Sequence, residues 1–90
     1  MELRAEVTVS TPVGLHARPA ALLVSEAMKY PASLQVESGD RRANAKSILQ
    51  VLALGVKGHG RVTLVAGGER AEEALQALVR LLETGLGDTP

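Results

Sequence analysis

Leu3-Arg4-Ala5-Glu6-Val7-Thr8-Val9 puts Leu3, Ala5, Val7 and Val9 on one side of an extended chain and Arg4, Glu6 and Thr8 on the other. Side chains of a strand alternate between faces, so this stretch predicts a strand buried on one face and wetted on the other. The same one-sidedness returns downstream. Leu34 and Val36 alternate with Gln35 and Glu37, and Val62, Leu64 and Ala66 alternate with Arg61, Thr63 and Val65. Strands of a parallel sheet covered on both faces read as unbroken apolar runs, and these do not. The expected sheet is largely antiparallel, with one face open to water.

The segments between the strands supply the covering layer. Thr11-Pro12-Val13-Gly14 breaks the first strand. Ala17, Ala20, Leu23, Val24, Ala27 and Met28 then recur at the spacing of one helix face, predicting a helix of about twelve residues stopped by Tyr30-Pro31. Ser38-Gly39-Asp40 has turn chemistry, followed by a short third strand from Arg41 to Ala45. Ser47-Ile48-Leu49-Gln50 has the form of a capping box, with Ser47 accepting from the third helical N–H and Gln50 reaching back, and predicts a short helix to Ala53. Gly55, Gly58 and Gly60 mark a loop before the fourth strand, and Gly67-Gly68 a turn after it. A last helix opens at Glu69, carries Ala71, Ala74, Leu75, Leu78 and Leu82 on one face, and ends at Gly85 before a frayed tail from Leu86 to Pro90. The order β-α-β-β-α-β-α predicts an α+β open-faced β-sandwich, with a four-stranded, mostly antiparallel sheet and three helices on one face. One domain over residues 1–90, with an ordered core over about 3–84, is expected.

Composition excludes several functions. Ten Lys and Arg balance ten Asp and Glu, with one tyrosine and no other aromatic residue, so a nucleic-acid binder's basic surface and stacking platform are both missing. Zero cysteine rules out disulfides and thiolate metal sites, and two histidines without helical spacing make a poor metal site. No basic-then-apolar leader and no long apolar run occurs, so a cytoplasmic protein without membrane contact is expected, and a monomer.

The chemistry gathers at Gly14-Leu15-His16-Ala17-Arg18-Pro19-Ala20. His16 falls at the entrance of the first helix, where Ser, Thr, Asp or Asn would be the ordinary cap. Backbone N–H groups of Ala17 and Arg18, at the positive end of that helix, suit a phosphoryl group, and the Arg18 guanidinium adds a planar fork of donors. Pro19 stiffens the first turn where its missing N–H costs little. A lone histidine at a loop end is more simply a surface residue; the seven-residue string favours a phosphoryl acceptor. Helix-end electrostatics of roughly 0.3 to 1 kcal/mol steady a phosphohistidine without trapping it. No carboxylate in the string orients the ring and no Gly-rich nucleotide loop is present, so a carrier charged by another protein, without a cofactor, fits better than an enzyme. Ser47 reads first as an N-cap, and a phosphate there would also be tolerated at a helix's positive end. Ile48, Leu49 and Leu52 form either core or a partner surface, while Val51 points inward. His59 reads as a loop residue and Arg41-Arg42 as a solvated turn.

Together with Ala45-Lys46-Ser47-Ile48-Leu49, the string from Gly14 to Ala20 resembles the HPr family, the histidine-containing phosphocarriers of the bacterial phosphoenolpyruvate-dependent sugar phosphotransferase system (PTS). The resemblance covers about residues 3–84. It implies that His16 accepts phosphate on Nδ1 from enzyme I and passes it to PTS IIA proteins, with Arg18 and the Ala17 N–H touching the phosphate. It implies that Ile48, Leu49 and Leu52 meet partners. It further implies that Ser47 is a regulatory site where an HPr kinase/phosphorylase and transcriptional regulators exist. Val13 stands where relatives often have a small polar residue, and the basic residues of the first helix are reduced to Lys29 beside Glu26. Two other readings stay open: an HPr-like regulator of a nitrogen-related or transcriptional phosphorelay, and a small ligand-binding α/β sandwich with an incidental histidine.

Overall fold

The computed structural model describes residues 2–84. In chain order the elements are β1 (Glu2–Thr8), α1 (Ala17–Ala27), β2 (Ser33–Ser38), β3 (Arg41–Asn44), α2 (Ile48–Ala53), β4 (Arg61–Gly67) and α3 (Ala71–Thr84). The expected terminator Gly85 and the tail to Pro90 lie outside the described residues.

The four strands form one antiparallel sheet in the order β1-β4-β2-β3. Its register turns the sequence alternation into rows. Ala5 faces Leu64, which faces Val36, which faces Ala43, giving an apolar row under the helices. One step along, Glu6, Thr63, Glu37 and Arg42 form a polar row on the open face. There Arg4 and Arg42 both reach Glu37, at 3.0 and 3.2 Å, and Arg61 reaches Glu6 at 2.9 Å. Exposed pairs of this kind hold register more than they add stability. Arg42, expected in a solvated turn, therefore belongs to the sheet's charge network.

The core is aliphatic throughout. Leu23 from α1, Leu34 from β2, Leu64 from β4, and Leu78 and Leu82 from α3 are fully buried with Val9, Val36 and Val51. Each such side chain removes enough apolar surface from water to contribute about 1.5 to 3 kcal/mol. Lys46 Nζ donates to the Tyr30 carbonyl at 2.7 Å, tying the exit of α1 to the link before α2. No helix among the described residues is long and apolar enough to cross a membrane.

Several boundaries differ from the sequence expectation. β1 ends at Thr8 and β3 at Asn44, each one residue early. α1 ends at Ala27, with the Met28 N–H donating to the Val24 carbonyl at 2.9 Å. Met28 is the cap rather than a helical position, so its side chain leaves the apolar face and is 64% exposed. α3 begins at Ala71, because Gly68 and Arg70 both adopt positive φ, 88° and 61°, and Arg70 takes the capping place. Its carbonyl accepts from the Ala74 N–H at 3.0 Å.

Candidate functional site

The loop before α1 is built by backbone contacts with a second loop distant in sequence. Leu15 N–H donates to the Val56 carbonyl at 3.1 Å, and the Thr11 carbonyl accepts from the N–H groups of Gly14 and His59 at 3.3 and 3.2 Å. Gly14 has φ +73°, and a Cβ there would meet the Val56 carbonyl oxygen at 2.1 Å. A Cβ on Gly58 would lie 1.7 Å from the Pro12 carbonyl oxygen. Two glycines thus let the chain segments 11–15 and 56–59 lie backbone on backbone. Thr11, 1% exposed, completes the corner: its hydroxyl oxygen accepts from the Val13 N–H at 3.2 Å. Val13 is itself half exposed, and the side-chain hydrogen bond in this loop comes from Thr11 two residues earlier.

This corner delivers His16 to the N-cap of α1 in an extended conformation, φ −76° and ψ −173°. Its carbonyl accepts from Ala20 N–H at 2.8 Å, but its side chain makes no capping bond. The ring is exposed and makes no hydrogen bond among the described residues. In a helix the first N–H groups have no intrahelical acceptor, which leaves Ala17 and Arg18 as donors at the positive end; Pro19 contributes none. Ala17 and Arg18 are exposed and Pro19 is buried, so the first turn is anchored by proline while its donors face solvent.

A depression beside His16 and Ala17 is lined also by Leu15, Leu52, Gly55, Val56 and Lys57. Lys57, an exposed cation, is a residue that sequence reading missed. Its only signal was a position in a glycine-rich loop, and that loop is brought beside His16 by the backbone contacts just described and by Val56, buried in the same core cluster as Leu15. Arg18 does not line the depression, so the site has a cation on a wall that Arg18 does not form.

Ser47 is the N-cap of α2, accepting from Gln50 N–H at 3.3 Å. The other half of the expected capping box is absent. Gln50 Oε1 accepts from Asn44 N–H at 2.8 Å, while Ser47 N–H is taken by the Asn44 carbonyl at 3.0 Å, so the glutamine ties α2 to the end of β3 instead. Of the apolar trio, Leu49 is 76% and Ile48 38% exposed, and Leu52 is half-buried in the wall of the His16 depression. Val51 is fully buried. The exposed apolar set also includes Val13 and Leu22. His59 sits in its loop at φ 58°, and no group of three or more His, Cys, Asp or Glu able to hold a metal occurs among the described residues.

Comparison with known proteins bears on what such a histidine does. Residues 3–84 match the sequence model described as the PTS HPr component phosphorylation site. The chain is 42% identical over 82 residues to the phosphocarrier protein HPr of Lysinibacillus sphaericus, covering 90% of this chain and 93% of that one. It is 40% identical over 89 residues to the multiphosphoryl transfer protein of Haemophilus influenzae, covering 96% of this chain. The chain spans about a fifth of the length of that protein and of its Vibrio cholerae counterpart, 18% and 20%. Among solved structures, an HPr from Thermoanaerobacter tengcongensis superposes with a TM-score of 0.91 at 40% identity, over 98% of this chain and 99% of that one.

Proposed function

The chain belongs to the HPr family of PTS phosphocarriers, and from that premise we propose that His16 is the residue that carries the phosphoryl group. The observation that carries the reading is the exposed ring of His16 at the N-cap of α1, without a hydrogen-bond partner among the described residues and next to the first two backbone donors of the helix. In the proposed step the Nδ1 lone pair attacks phosphorus of a phosphorylated histidine on enzyme I. One N–P bond forms as the other breaks, and the donor's imidazole leaves. The reverse attack by a histidine of a IIA protein unloads the carrier. Donors at Ala17 and Arg18, with the Arg18 guanidinium, hold the transferred oxygens. Because each is exposed, the stabilisation stays near 1 kcal/mol, which keeps the transfer reversible within about tenfold.

Ile48 and Leu49, exposed on α2, with Leu52 below them, form the proposed landing surface for enzyme I and IIA proteins. Ser47 is the proposed regulatory site, where a phosphate would sit at the positive end of α2 and add negative charge beside that surface. This chemistry belongs in the cytoplasm, where phosphoenolpyruvate is made.

Incubation with phosphoenolpyruvate and an enzyme I of proven activity, followed by intact mass, tests the assignment. One acid-labile phosphate is expected, absent in His16→Ala and retained in Ser47→Ala. No mass increase, or an increase that survives His16→Ala, overturns it.

A further inference from the structure

Most cations of this chain are committed to a partner of their own. Arg4, Lys29, Arg42, Arg61 and Arg70 are ion-paired with glutamates at 2.7 to 3.2 Å, and Lys46 donates to the Tyr30 carbonyl. Arg18, Arg41, Lys57 and Arg80 have no ion pair among the described residues. Arg41 lies on β3 and Arg80 on α3, whereas Arg18 follows His16 in α1 and Lys57 lines the depression beside the His16 ring.

The setting of Lys57 differs from that of cations elsewhere on the surface. Grooves along α3 combine an arginine with a carboxylate: Arg70 with Glu72 and Glu73, and Arg80 with Glu26 or Glu83. The His16 depression holds a cation and no carboxylate, between apolar walls from Leu15, Leu52 and Val56. Such walls weaken the screening of a charge placed between them. The backbone of Lys57 is also fixed. Its carbonyl accepts from the Gly60 N–H at 2.9 Å, and the carbonyl just before it, on Val56, accepts from the Leu15 N–H at 3.1 Å, one residue from His16. The loop therefore holds an uncompensated positive charge beside the histidine, approaching from a wall that Arg18 does not form.

We propose that Lys57 is a second cation for the phosphoryl group: its ammonium holds the transferred oxygens from the loop side while Arg18 holds them from α1, and it sets how strongly the carrier retains its phosphate. The proposal rests on His16 being the phosphoryl acceptor. A phosphoryl group brings about two negative charges to the ring. Lys57 neither gives nor takes a proton in the transfer; it acts as a point charge, where Arg18 offers a planar fork. In the competing hydrolysis, water attacks phosphorus, the N–P bond breaks and the imidazole leaves with a proton. A cation in the depression opposes that protonation and so lengthens the life of the phosphohistidine.

The test is an equilibrium. Enzyme I and the carrier are charged with substoichiometric phosphoenolpyruvate, and the share of phosphate on each is read by intact mass. Lys57→Gln should move the distribution toward enzyme I by about two- to fivefold and Lys57→Glu by about tenfold, while Lys57→Arg stays within about twofold of the parent. Salt near 1 M should shrink these differences. A lysine that only steered the partner would change the rate of exchange and leave this distribution where it was. In a second arm, phosphoramidate charges the ring chemically in a His59→Asn background, which leaves His16 as the one histidine. Asparagine tolerates the left-handed backbone at position 59, φ 58°. The phosphate lifetime should fall in the same order, from lysine or arginine through glutamine to glutamate at position 57. Circular dichroism establishes that each variant is folded. If enzyme I loads no variant, the relay reading fails and the chemical arm still decides the role of Lys57. A distribution and a lifetime unmoved by Lys57→Glu, a Lys57→Arg as defective as Lys57→Gln, or an effect confined to the exchange rate overturns the proposal.

Discussion

His16 is free for chemistry because other residues do its structural work. Thr11 holds the corner, Pro19 anchors the first turn, and Gly58 lets residues 56–59 come close enough to seat Leu15. Gly58→Ala would push a Cβ into the Pro12 carbonyl, so the two loops must separate. A loss of about 2 kcal/mol or more in urea denaturation is expected, together with slower phosphorylation of His16. Lys57 brings a positive charge to the wall of the same depression. Lys57→Gln should leave stability unchanged and speed hydrolysis of the phosphohistidine about two- to fivefold, the range of one exposed ion pair, as read by loss of phosphate mass over time. The seven-residue string made His16 legible from the sequence. Lys57 was not, because its approach depends on backbone contacts that no side chain announces.

At the level of single elements, α3 is started by an arginine in a left-handed conformation rather than by an ordinary cap. Arg70 is held there by two hydrogen bonds to Glu73, 3.0 and 2.7 Å, and by the Tyr30 ring 5.1 Å away. The hydrogen bond from Arg70, followed by its charge, lowers the Glu73 carboxyl below its usual range, and both groups are exposed to solvent. A lowered folded-state value means that the carboxylate favours folding above its unfolded pKa, and that this contribution is lost as pH falls through the folded value. Glu73→Gln should therefore lower Tm slightly at neutral pH, with the difference vanishing once the solution is more acidic than the carboxylate range. A gap that persists in acid would show that packing, not charge, starts the helix. Sequence reading placed this start two residues early, since glutamates at 69, 72 and 73 mark a positive helix end without fixing which residue caps it.

For the molecule as a whole, one sheet face and three helices enclose a core of leucine, valine and alanine, with the polar rows left on the other face. Leu78, fully buried in α3, should cost about 2 to 5 kcal/mol on truncation to alanine, whereas Leu49, 76% exposed, should cost less than about 0.5 kcal/mol. Urea midpoints separate the two, and Leu49→Ala should still slow phosphate exchange with enzyme I if α2 is the landing surface. The amino-acid sequence by itself determined the element order, the open face of the sheet and the histidine at the helix entrance, because periodicity and capping are local properties written within a few residues. Only the tertiary structure decided the strand order β1-β4-β2-β3, which makes β1 an edge strand among the described residues, and the seating of residues 56–59 against 11–15. Those depend on pairings between residues dozens of positions apart, made mostly by backbone groups that every residue carries alike.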